Sequence, residues 1–338
     1  MEKRLVDPNR LCMGCMAILE NTGKPCPHCG FHLDGYRQPP NSLSPYEILN
    51  GKYLIGRVIG MGGFGITYVG WDFYQSRKVC IKEYFPRSVA ARRQQGSGQS
   101  VSVQYSLSVF TQNTEQAQYA YAEGLKSYIK EAENLSKFYL MHGIVSVRDF
   151  FYGNNTAYIV MEYIDGMNMK RYAAAKGGKL HPKELFSILR DVLSALNEVH
   201  KSNIIHRDIS PDNIMITRDL QAKLIDFGAA KDYSICRNGP VLLKHGYAPP
   251  EQYEQDGKQG PWTDVYSMCA SLYYLLTGIR IQNARERMEQ DQVKLLQVMG
   301  VPVSERQDLA IAKGLSLIPE ERYQTVGELY QDLYETER

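Results

Sequence analysis

Residues 206–213 read His-Arg-Asp-Ile-Ser-Pro-Asp-Asn, and residues 226–228 read Asp-Phe-Gly. Neither stretch is specific alone, because Asp-Phe-Gly is expected by chance in many proteins. Here, however, Asp208 is followed five residues later by Asn213, and then by Asp226. The two stretches together, in this order, are a strong signal. The pattern predicts a catalytic loop followed by a metal-binding loop.

A glycine-rich stretch lies upstream of this pattern. Residues 60–65 read Gly-Met-Gly-Gly-Phe-Gly and follow a strand-like run at 53–59. Glycines let the backbone fold tightly and bring bare N–H groups close to phosphate oxygens. A dinucleotide fingerprint needs a helix directly after the glycines, whereas the β-rich residues 66–69 follow here, so that interpretation fails. The next apolar strand, residues 79–82, carries a single lysine, Lys82.

Three longer segments connect these motifs. Residues 117–140 have helical periodicity and carry two candidate acidic partners for the lysine. Glu131 is the best candidate, and Glu133 is a competitor that the spacing does not exclude. Residues 158–164 are typical of a buried strand that ends in a turn, and residues 185–199 have the apolar spacing of a helix that leads into the catalytic loop.

Two later features complete the pattern. Residues 248–251 read Ala-Pro-Pro-Glu, and Asp264 opens an apolar, helix-like run. With the motifs above, they make the chain from about Tyr46 to its end resemble a bacterial, eukaryotic-like Ser/Thr protein kinase domain. The resemblance implies an α+β, two-lobed protein kinase fold: a small β-rich lobe and a large α lobe, with ATP between them. It also implies a buried pair between Glu251 and Arg322, which is costly to break from one side.

The resemblance implies a role for each matching residue. Asp208 would orient the substrate hydroxyl and accept its proton, while Asn213 and Asp226 would hold Mg²⁺. Lys82, steadied by Glu131, would place the α- and β-phosphates of ATP. The residues that the resemblance places against ATP are Ile59, Gly60, Gly62, Gly63, Phe64, Gly65, Thr67, Cys80, Lys82, Met161, Glu162, Ile164 and Met215.

Some positions depart from the family pattern. Thr67 stands where the family usually has a valine against adenine. Ser210 replaces the catalytic-loop lysine that reaches the γ-phosphate, and Lys244 stands seven residues before Glu251, where the family usually has a threonine. We therefore expect Lys244 and Ser210 to have exchanged roles as catalytic residues, because the transition state needs a cation beside the transferring phosphoryl group. The alternative is that Lys244 is a solvated surface lysine.

Control by phosphorylation is predicted at Ser234. It is the only serine between Asp226 and Glu251, in a segment with no threonine. Arg207, which precedes the catalytic aspartate, is the kind of regulatory residue that pairs with such a phosphate. The alternative is a segment that is ordered without phosphorylation, with Arg207 bound to a carboxylate or a carbonyl.

The amino-terminal residues form a second predicted unit. Cys12 and Cys15 make one C-x-x-C pair, and Cys26 and Cys29 make another after ten further residues. Four thiolates on two tight turns suit a tetrahedral zinc site in a minimal zinc ribbon, with iron as the chemical runner-up. Disulfides are the alternative, but seven cysteines leave one over and no signal peptide is visible. We expect zinc to fold the ribbon, and the kinase to bind ATP without the residues before Pro45.

One insertion interrupts the kinase pattern. Residues 84–116 are long for a loop, and the alternating residues 101–109 predict a small extra strand within them. A tolerated insertion is the favoured interpretation. The predicted organisation is a four-cysteine zinc ribbon at 1–33, a linker at 34–45 and a kinase domain at 46–338, with its small lobe at about 46–163 and its large lobe at about 164–338.

Composition agrees with an enzyme of this class. The chain has 338 residues, of which 43% are hydrophobic, enough for a two-lobed core. A formal net charge of +2 gives no case for nucleic-acid binding, and the apolar run at 265–276 is too short to span a membrane. We expect a cytoplasmic protein in bacterial signalling that uses ATP, Mg²⁺ and structural Zn²⁺, phosphorylates Ser/Thr of protein substrates and autophosphorylates.

Two alternatives belong to other classes of function. A pseudokinase scaffold would bind protein partners through the zinc ribbon and the kinase fold. It is disfavoured because Lys82, Asp208, Asn213 and Asp226 are all present. A kinase that acts on a small molecule is disfavoured by residues 246–251, which in protein kinases shape the platform for a peptide.

Overall fold

The computed structural model describes residues 6–21, 24–95, 98–103, 114–227, 231–232, 243–254 and 256–334. The chain forms two compact units, Met1–Tyr139 with Ser146–Tyr163, and Leu140–Val145 with Ile164–Arg338. Several positions named above lie outside the described residues: Gly228, Ser234 and the stretch 104–109.

The first unit is built on an antiparallel sheet. In its described part the strand order is β1-β2-β3-β4-β8-β7. Strand β2 is buried from Tyr53 to Gly56 and more exposed from Arg57 onwards, so it leaves the core as it approaches the glycine-rich loop at residues 60–65. The strands are β1 (Ile48–Leu49), β2 (Tyr53–Met61), β3 (Gly65–Asp72), β4 (Arg77–Tyr84), β7 (Val147–Gly153) and β8 (Thr156–Glu162).

One helix and one hairpin complete the kinase part of this unit. Helix α1 (Thr114–Ser136) packs against β7 and β8. It ends at Ser136, earlier than the predicted range of 117–140, and residues 137–140 form turns instead. The insertion forms an antiparallel hairpin of β5 (Ala90–Gln95) and β6 (Gly98–Val103). The predicted extra strand is thus confirmed over its described residues.

The amino-terminal residues pack onto the same sheet. Two turns, at residues 13–15 and 27–29, present the cysteine pairs, and a bridge joins Leu11 to Ile18. Apolar side chains at and beside the first turn are removed from water by packing against β2 and β3, and together they form one buried cluster. Its buried members are Leu11, Met13, Met16, Leu54, Val69, Trp71 and Phe73.

The second unit is mainly helical. The apolar side chains spaced along residues 185–199 are buried, which confirms the predicted helix, and α3 packs against α4 and α7. Among the described residues, no helix is long and apolar enough to cross a membrane. The helices are α2 (Met169–Ala175), α3 (Pro182–Lys201), α4 (Pro261–Thr277), α5 (Ala284–Glu289), α6 (Glu305–Gly314) and α7 (Val326–Tyr334).

Short strands hold the catalytic loop at both ends. The loop follows β10 directly and runs directly into β11, and the chain returns along β12 to reach Asp226. Strand β11 lies between β12 and β9, while β10 pairs with β13. The bounds are β9 (Gly166–Asn168), β10 (Ile204–Ile205), β11 (Ile214–Thr217), β12 (Ala222–Leu224) and β13 (Lys231–Asp232).

Candidate active site and four-cysteine cluster

Asp264 anchors the catalytic loop from behind. Its Oδ2 accepts the His206 N–H at 2.7 Å, and its Oδ1 accepts the Arg207 N–H at 2.8 Å. His200 Nε2 lies 2.7 Å from the same carboxylate, which is fully buried. Burial would raise the pKa of Asp264, but the hydrogen bonds from His200 and the His206 N–H outweigh it and lower that pKa below its usual range. This clamp holds Arg207 in a left-handed conformation, φ +70°, that a non-glycine residue rarely adopts.

Within the loop, Asn213 holds Asp208. The Asn213 Nδ2 donates to the Asp208 carbonyl oxygen and to Asp208 Oδ2, both at 2.8 Å. Because the amide nitrogen is used in this way, Oδ1 is the Asn213 atom suited to a cation. The Ile225 N–H donates to the Asn213 carbonyl at 2.8 Å, so the residue before Asp226 lies beside Asn213. The structure thus brings together the loop segments that carry the three predicted catalytic and Mg²⁺ residues.

The segment at Asp226 is fixed through its neighbours. His206 Nε2 lies 3.0 Å from the Ile225 carbonyl oxygen, and its ring packs against buried Phe227 with a centroid distance of 4.4 Å. Asp226 itself is exposed and has a left-handed φ of +62°. The backbone that carries the Asp226 carboxylate is therefore held on both sides by contacts with His206 of the catalytic loop.

The Lys244 side chain reaches the catalytic loop. Its Nζ donates to Ser210 Oγ at 2.6 Å. The same ammonium lies 4.0 Å from Asp208 Oδ1 and 3.8 Å from Asp212 Oδ2. The Lys244 backbone carbonyl accepts the N–H groups of Tyr247 and Ala248, so the residue sits in a defined turn. A cation therefore lies beside the predicted base.

The predicted phosphate-binding residues lie in the first unit. Gly65 is required by a close approach, since a Cβ there would lie 2.7 Å from the Glu83 carbonyl oxygen and 3.6 Å from Lys82 Cε. The Lys82 side chain therefore runs beneath the glycine-rich loop. The Tyr128 hydroxyl donates to the Lys82 carbonyl at 3.0 Å, which places α1 against β4 one turn before Glu131.

The remaining predicted ATP-binding residues are spread over both units. In the first unit Thr67 pairs with Gly60 and with Lys82 across the sheet, and Cys80 pairs with Met161. The side chains of Ile59 and Phe64 are exposed. The Glu162 N–H donates to the Ser146 carbonyl at 3.0 Å. The Glu162 carbonyl oxygen is therefore the backbone group of this residue that would accept a hydrogen bond from adenine. Ile164 and Met215 belong to the second unit.

The predicted pair between Glu251 and Arg322 is confirmed. Arg322 Nη1 lies 2.8 Å from Glu251 Oε1, and Nη2 lies 3.1 Å from Oε2, with both side chains buried. The Thr263 hydroxyl donates to the same carboxylate at 2.9 Å. Two parallel bonds between a guanidinium and a carboxylate fix geometry as well as charge.

Sequence reasoning missed a second buried pair, next to Lys82. Arg92, from the inserted hairpin, donates to both Glu83 oxygens at 2.7 Å. The Tyr68 and Tyr158 hydroxyls donate to the same carboxylate at 2.8 and 3.2 Å. Burial raises the pKa of Glu83, and Arg92 counters that effect. Glu83, an acidic residue inside an apolar strand, was the sequence signal for a buried ion pair. Its partner, Arg92, could not be identified because it lies in a segment without a motif.

The four cysteines form one cluster. The Sγ atoms of Cys12, Cys15, Cys26 and Cys29 all lie within 4.8 Å of one another, and all four are free thiols. Cys12 Sγ lies 3.7 Å from Cys29 Sγ, and Cys15 Sγ lies 3.8 Å from Cys26 Sγ. A tetrahedron with Zn–S bonds of about 2.3 Å has S–S edges of roughly 3.8 Å. Burial raises the pKa of the Cys12 and Cys15 thiols, so thiolates at these two positions need a nearby cation.

Comparison with known proteins agrees with this geometry. A family model described as "Protein kinase domain" matches residues 53–322. Serine/threonine-protein kinase PrkC of Bacillus subtilis is 31% identical over 300 residues, which cover 84% of this chain and 40% of PrkC. Serine/threonine-protein kinase PknB of Mycobacterium leprae is 29% identical over 301 residues, which cover 84% of this chain and 43% of PknB.

A solved structure gives the same result. The chain described as "PpkA-294 apo form" matches with a TM-score of 0.72 and 32% identity, over 87% of this chain and 99% of that one. The present chain spans less than half the length of the two curated relatives. The motifs, the family match and the observed fold agree. The chain belongs to the protein kinase family and resembles its bacterial serine/threonine members.

Proposed function

We propose that this chain transfers the γ-phosphoryl group of ATP to serine or threonine hydroxyls of protein substrates, with Mg²⁺. The observation that carries the proposal is the hydrogen bond from Asn213 Nδ2 to Asp208 Oδ2, with the Lys244 ammonium near the other oxygen of the same carboxylate. A carboxylate fixed in this way can orient a hydroxyl for in-line attack, and positioning is the main task of a phosphoryl-transfer enzyme.

The residues of the second unit supply the chemistry. Asp208 orients the substrate hydroxyl and accepts its proton. Asn213, through Oδ1, and Asp226, through its carboxylate, would hold Mg²⁺, which would neutralise charge on the phosphate oxygens. Lys244 places a positive charge beside the transferring group, and Ser210 fixes the ammonium by accepting its hydrogen bond.

The residues that would place the nucleotide come mainly from the first unit. Lys82, steadied by Glu131, grips the α- and β-phosphates, and the backbone N–H groups of the glycine-rich loop cover them. The backbone of Glu162 and Ile164 would bind adenine, and Ile59, Thr67, Cys80, Met161 and Met215 would line its site. A small side chain at Cys80 and an exposed apolar one at Ile59 suit contact with a flat ring.

The choice of protein serine or threonine rests on the relatives, which are named serine/threonine-protein kinases. Autophosphorylation, a cytoplasmic role in bacterial signalling and structural zinc at the four cysteines complete the proposal. Arg207 and Ser234 remain the proposed regulatory pair. A pseudokinase is disfavoured because Lys82, Asp208, Asn213 and Asp226 are all present.

A phosphotransfer assay with radiolabelled ATP and a generic protein substrate tests this function. We expect the wild type to label serine or threonine, and Asp208→Asn to lose nearly all transfer while still binding ATP. Asp219→Asn is the matched control, because Asp219 is an exposed aspartate in the turn between β11 and β12. Full transfer by Asp208→Asn, or none by the wild type, would refute the proposal.

A further inference from the structure

The first cysteine turn bonds to β2 just before the glycine-rich loop. The Arg57 N–H donates to the Met13 carbonyl at 2.8 Å, and Arg57 Nε donates to the Gly14 carbonyl at 2.9 Å. Met13 and Gly14 are the two residues between Cys12 and Cys15. The backbone that presents one pair of thiols is therefore hydrogen-bonded to the strand that carries the glycine-rich loop.

These bonds lie at an irregularity in the sheet. The pairing of β2 with β3 shifts register between Ile55 and Val58, and again between Val58 and Gly60. A bulge leaves a backbone N–H without its place in the ladder. Here the Arg57 N–H, which lies in the first shift, bonds to the cysteine turn instead. The amino-terminal residues therefore bond to β2 where its pairing with β3 is irregular.

The second cysteine turn reaches the same irregularity through Gln38. Phe31, which follows this turn, packs edge-on against Tyr36 with a centroid distance of 4.9 Å. The Tyr36 hydroxyl donates to Gln38 Oε1. That oxygen also accepts the Val58 N–H at 3.1 Å, and Gln38 Nε2 donates to the Gly56 carbonyl at 3.1 Å. Both turns of the metal site therefore converge on residues 56–58.

Gly56 allows this contact to form. A Cβ at this position would lie 2.3 Å from Met16 Cε and 2.6 Å from the Met13 carbonyl oxygen. Such a position accepts only glycine unless the backbones move apart. Tyr163, which precedes the proposed adenine contact at Ile164, packs against the same cluster. The amino-terminal residues thus contact the strand that leads into the glycine-rich loop, and they belong to the same buried cluster that Tyr163 covers.

We propose that zinc in the four-cysteine cluster sets the affinity for ATP, by holding the strand that leads into the glycine-rich loop. The inference rests on the proposed function, because it takes ATP as the nucleotide that binds under this loop. Without metal the two turns lose their common anchor, and residues 56–58 lose their partners. The loop then adopts its binding conformation for only part of the time, and the apparent affinity falls by that fraction. The expectation that the kinase binds ATP without the residues before Pro45 is the alternative to this proposal.

Nucleotide binding by the full chain tests the coupling. Zinc-loaded protein is compared with protein from which zinc has been removed by a chelator, which is itself removed before ATP and Mg²⁺ are titrated in a calorimeter. We expect about tenfold weaker binding without zinc, a change that the loss of one or two hydrogen bonds can produce. Adding zinc back should restore the affinity. Equal affinity with and without zinc would overturn the proposal.

Two variants separate coupling from the folding of the ribbon. Gln38→Leu removes the bonds to Gly56 and Val58, and Gly56→Ala forces the contact apart, but neither touches a cysteine. Both should keep one zinc per chain, by elemental analysis, and raise KM for ATP about tenfold with little change in kcat. Glu20→Gln, an exposed change outside both cysteine turns, is the control and should match the wild type.

The outcomes separate this inference from the proposed function. Wild-type affinity in both zinc-loaded variants would overturn the coupling and leave the kinase assignment intact. Variants that bind ATP weakly, but also lose zinc or the near-ultraviolet circular dichroism of the wild type, would show a structural role only and would likewise overturn it. No ATP binding by the zinc-loaded wild type would overturn the proposed function, and this inference with it.

Discussion

Lys244 Nζ lies 2.6 Å from Ser210 Oγ, and Ser210 belongs to the same loop as Asp208. The ammonium also lies 4.0 Å from Asp208 Oδ1, and the Lys244 side chain is 31% exposed. A lysine held at this distance from the proposed base differs from a solvated surface lysine. In the proposed exchange of roles, the loop carries the hydroxyl and the following segment carries the cation.

Lys244→Ala should lower kcat by roughly 10²-fold, or on the order of 3 kcal/mol, with little change in KM for ATP. The reason is that the charge is needed most in the transition state. Steady-state kinetics with varied ATP measure both constants. Lys179→Ala removes an exposed lysine of the same unit and should have wild-type kinetics. An unchanged kcat in Lys244→Ala would contradict the catalytic role.

The family's usual arrangement can be restored with two changes. Ser210→Lys combined with Lys244→Thr should regain part of the activity that Lys244→Ala loses, because either backbone can present the cation. Ser210 is fully buried, so the new lysine must extend toward Asp208 to avoid an unpaired buried charge. The comparison is the kcat of the double variant against that of Lys244→Thr alone. A double variant no faster than Lys244→Thr would argue against an exchange.

The pair of Arg92 and Glu83 should lock the inserted hairpin to the sheet. Their side chains are 6% and 0% exposed, so Arg92→Leu leaves a buried carboxylate without its cation and should cost about 3–5 kcal/mol. Urea unfolding measures the loss. Glu83→Gln combined with Arg92→Leu should cost less than Arg92→Leu alone. Lys126→Leu, which breaks the exposed pair with Glu123, is the control and should leave stability unchanged. A stable Arg92→Leu would mean that the insertion is merely tolerated.

Asp264 should make the stability of the chain depend on pH. Its folded pKa is lowered, so its contribution is present above the ordinary aspartate pKa, near 4, and is lost as the pH falls through the folded value. Asp264→Asn removes this contribution at all pH values. Between about pH 5 and pH 2, the unfolding free energy of the wild type should therefore fall more steeply with falling pH than that of Asp264→Asn. The two slopes should differ by at most about 1.4 kcal/mol per pH unit. Parallel curves from urea titrations would show that the Asp264 pKa is not lowered.

Much of the fold followed from short motifs because their chemistry is local. The order of the catalytic loop, the Asp-Phe-Gly and the glycine-rich stretch predicted the kinase fold, which the family match and the solved structure confirm. The resemblance also predicted the pair between Glu251 and Arg322, 71 residues apart. Two C-x-x-C turns predicted a four-sulfur cluster, since a tight turn can place two thiols on one metal wherever the turn lies.

Other features were decided by tertiary structure alone. The contact of Met13 and Gly14 with Arg57 uses backbone carbonyls, which every residue carries, so no pattern in the sequence marks it. Likewise, the partner of Glu83 lies in the inserted hairpin, and its identity depends on how that hairpin packs.

There is a physical reason why the motifs could be predicted from the sequence and these contacts could not. Motif residues are constrained by the ligand they bind, so their types and spacing are visible in the chain. The place where the four-cysteine turns dock is instead set by apolar burial around Leu54 and Val69 and by an irregular strand at residues 56–58. Both depend on which surfaces meet after folding, because burial is non-directional and a bulge exists only relative to its partner strand.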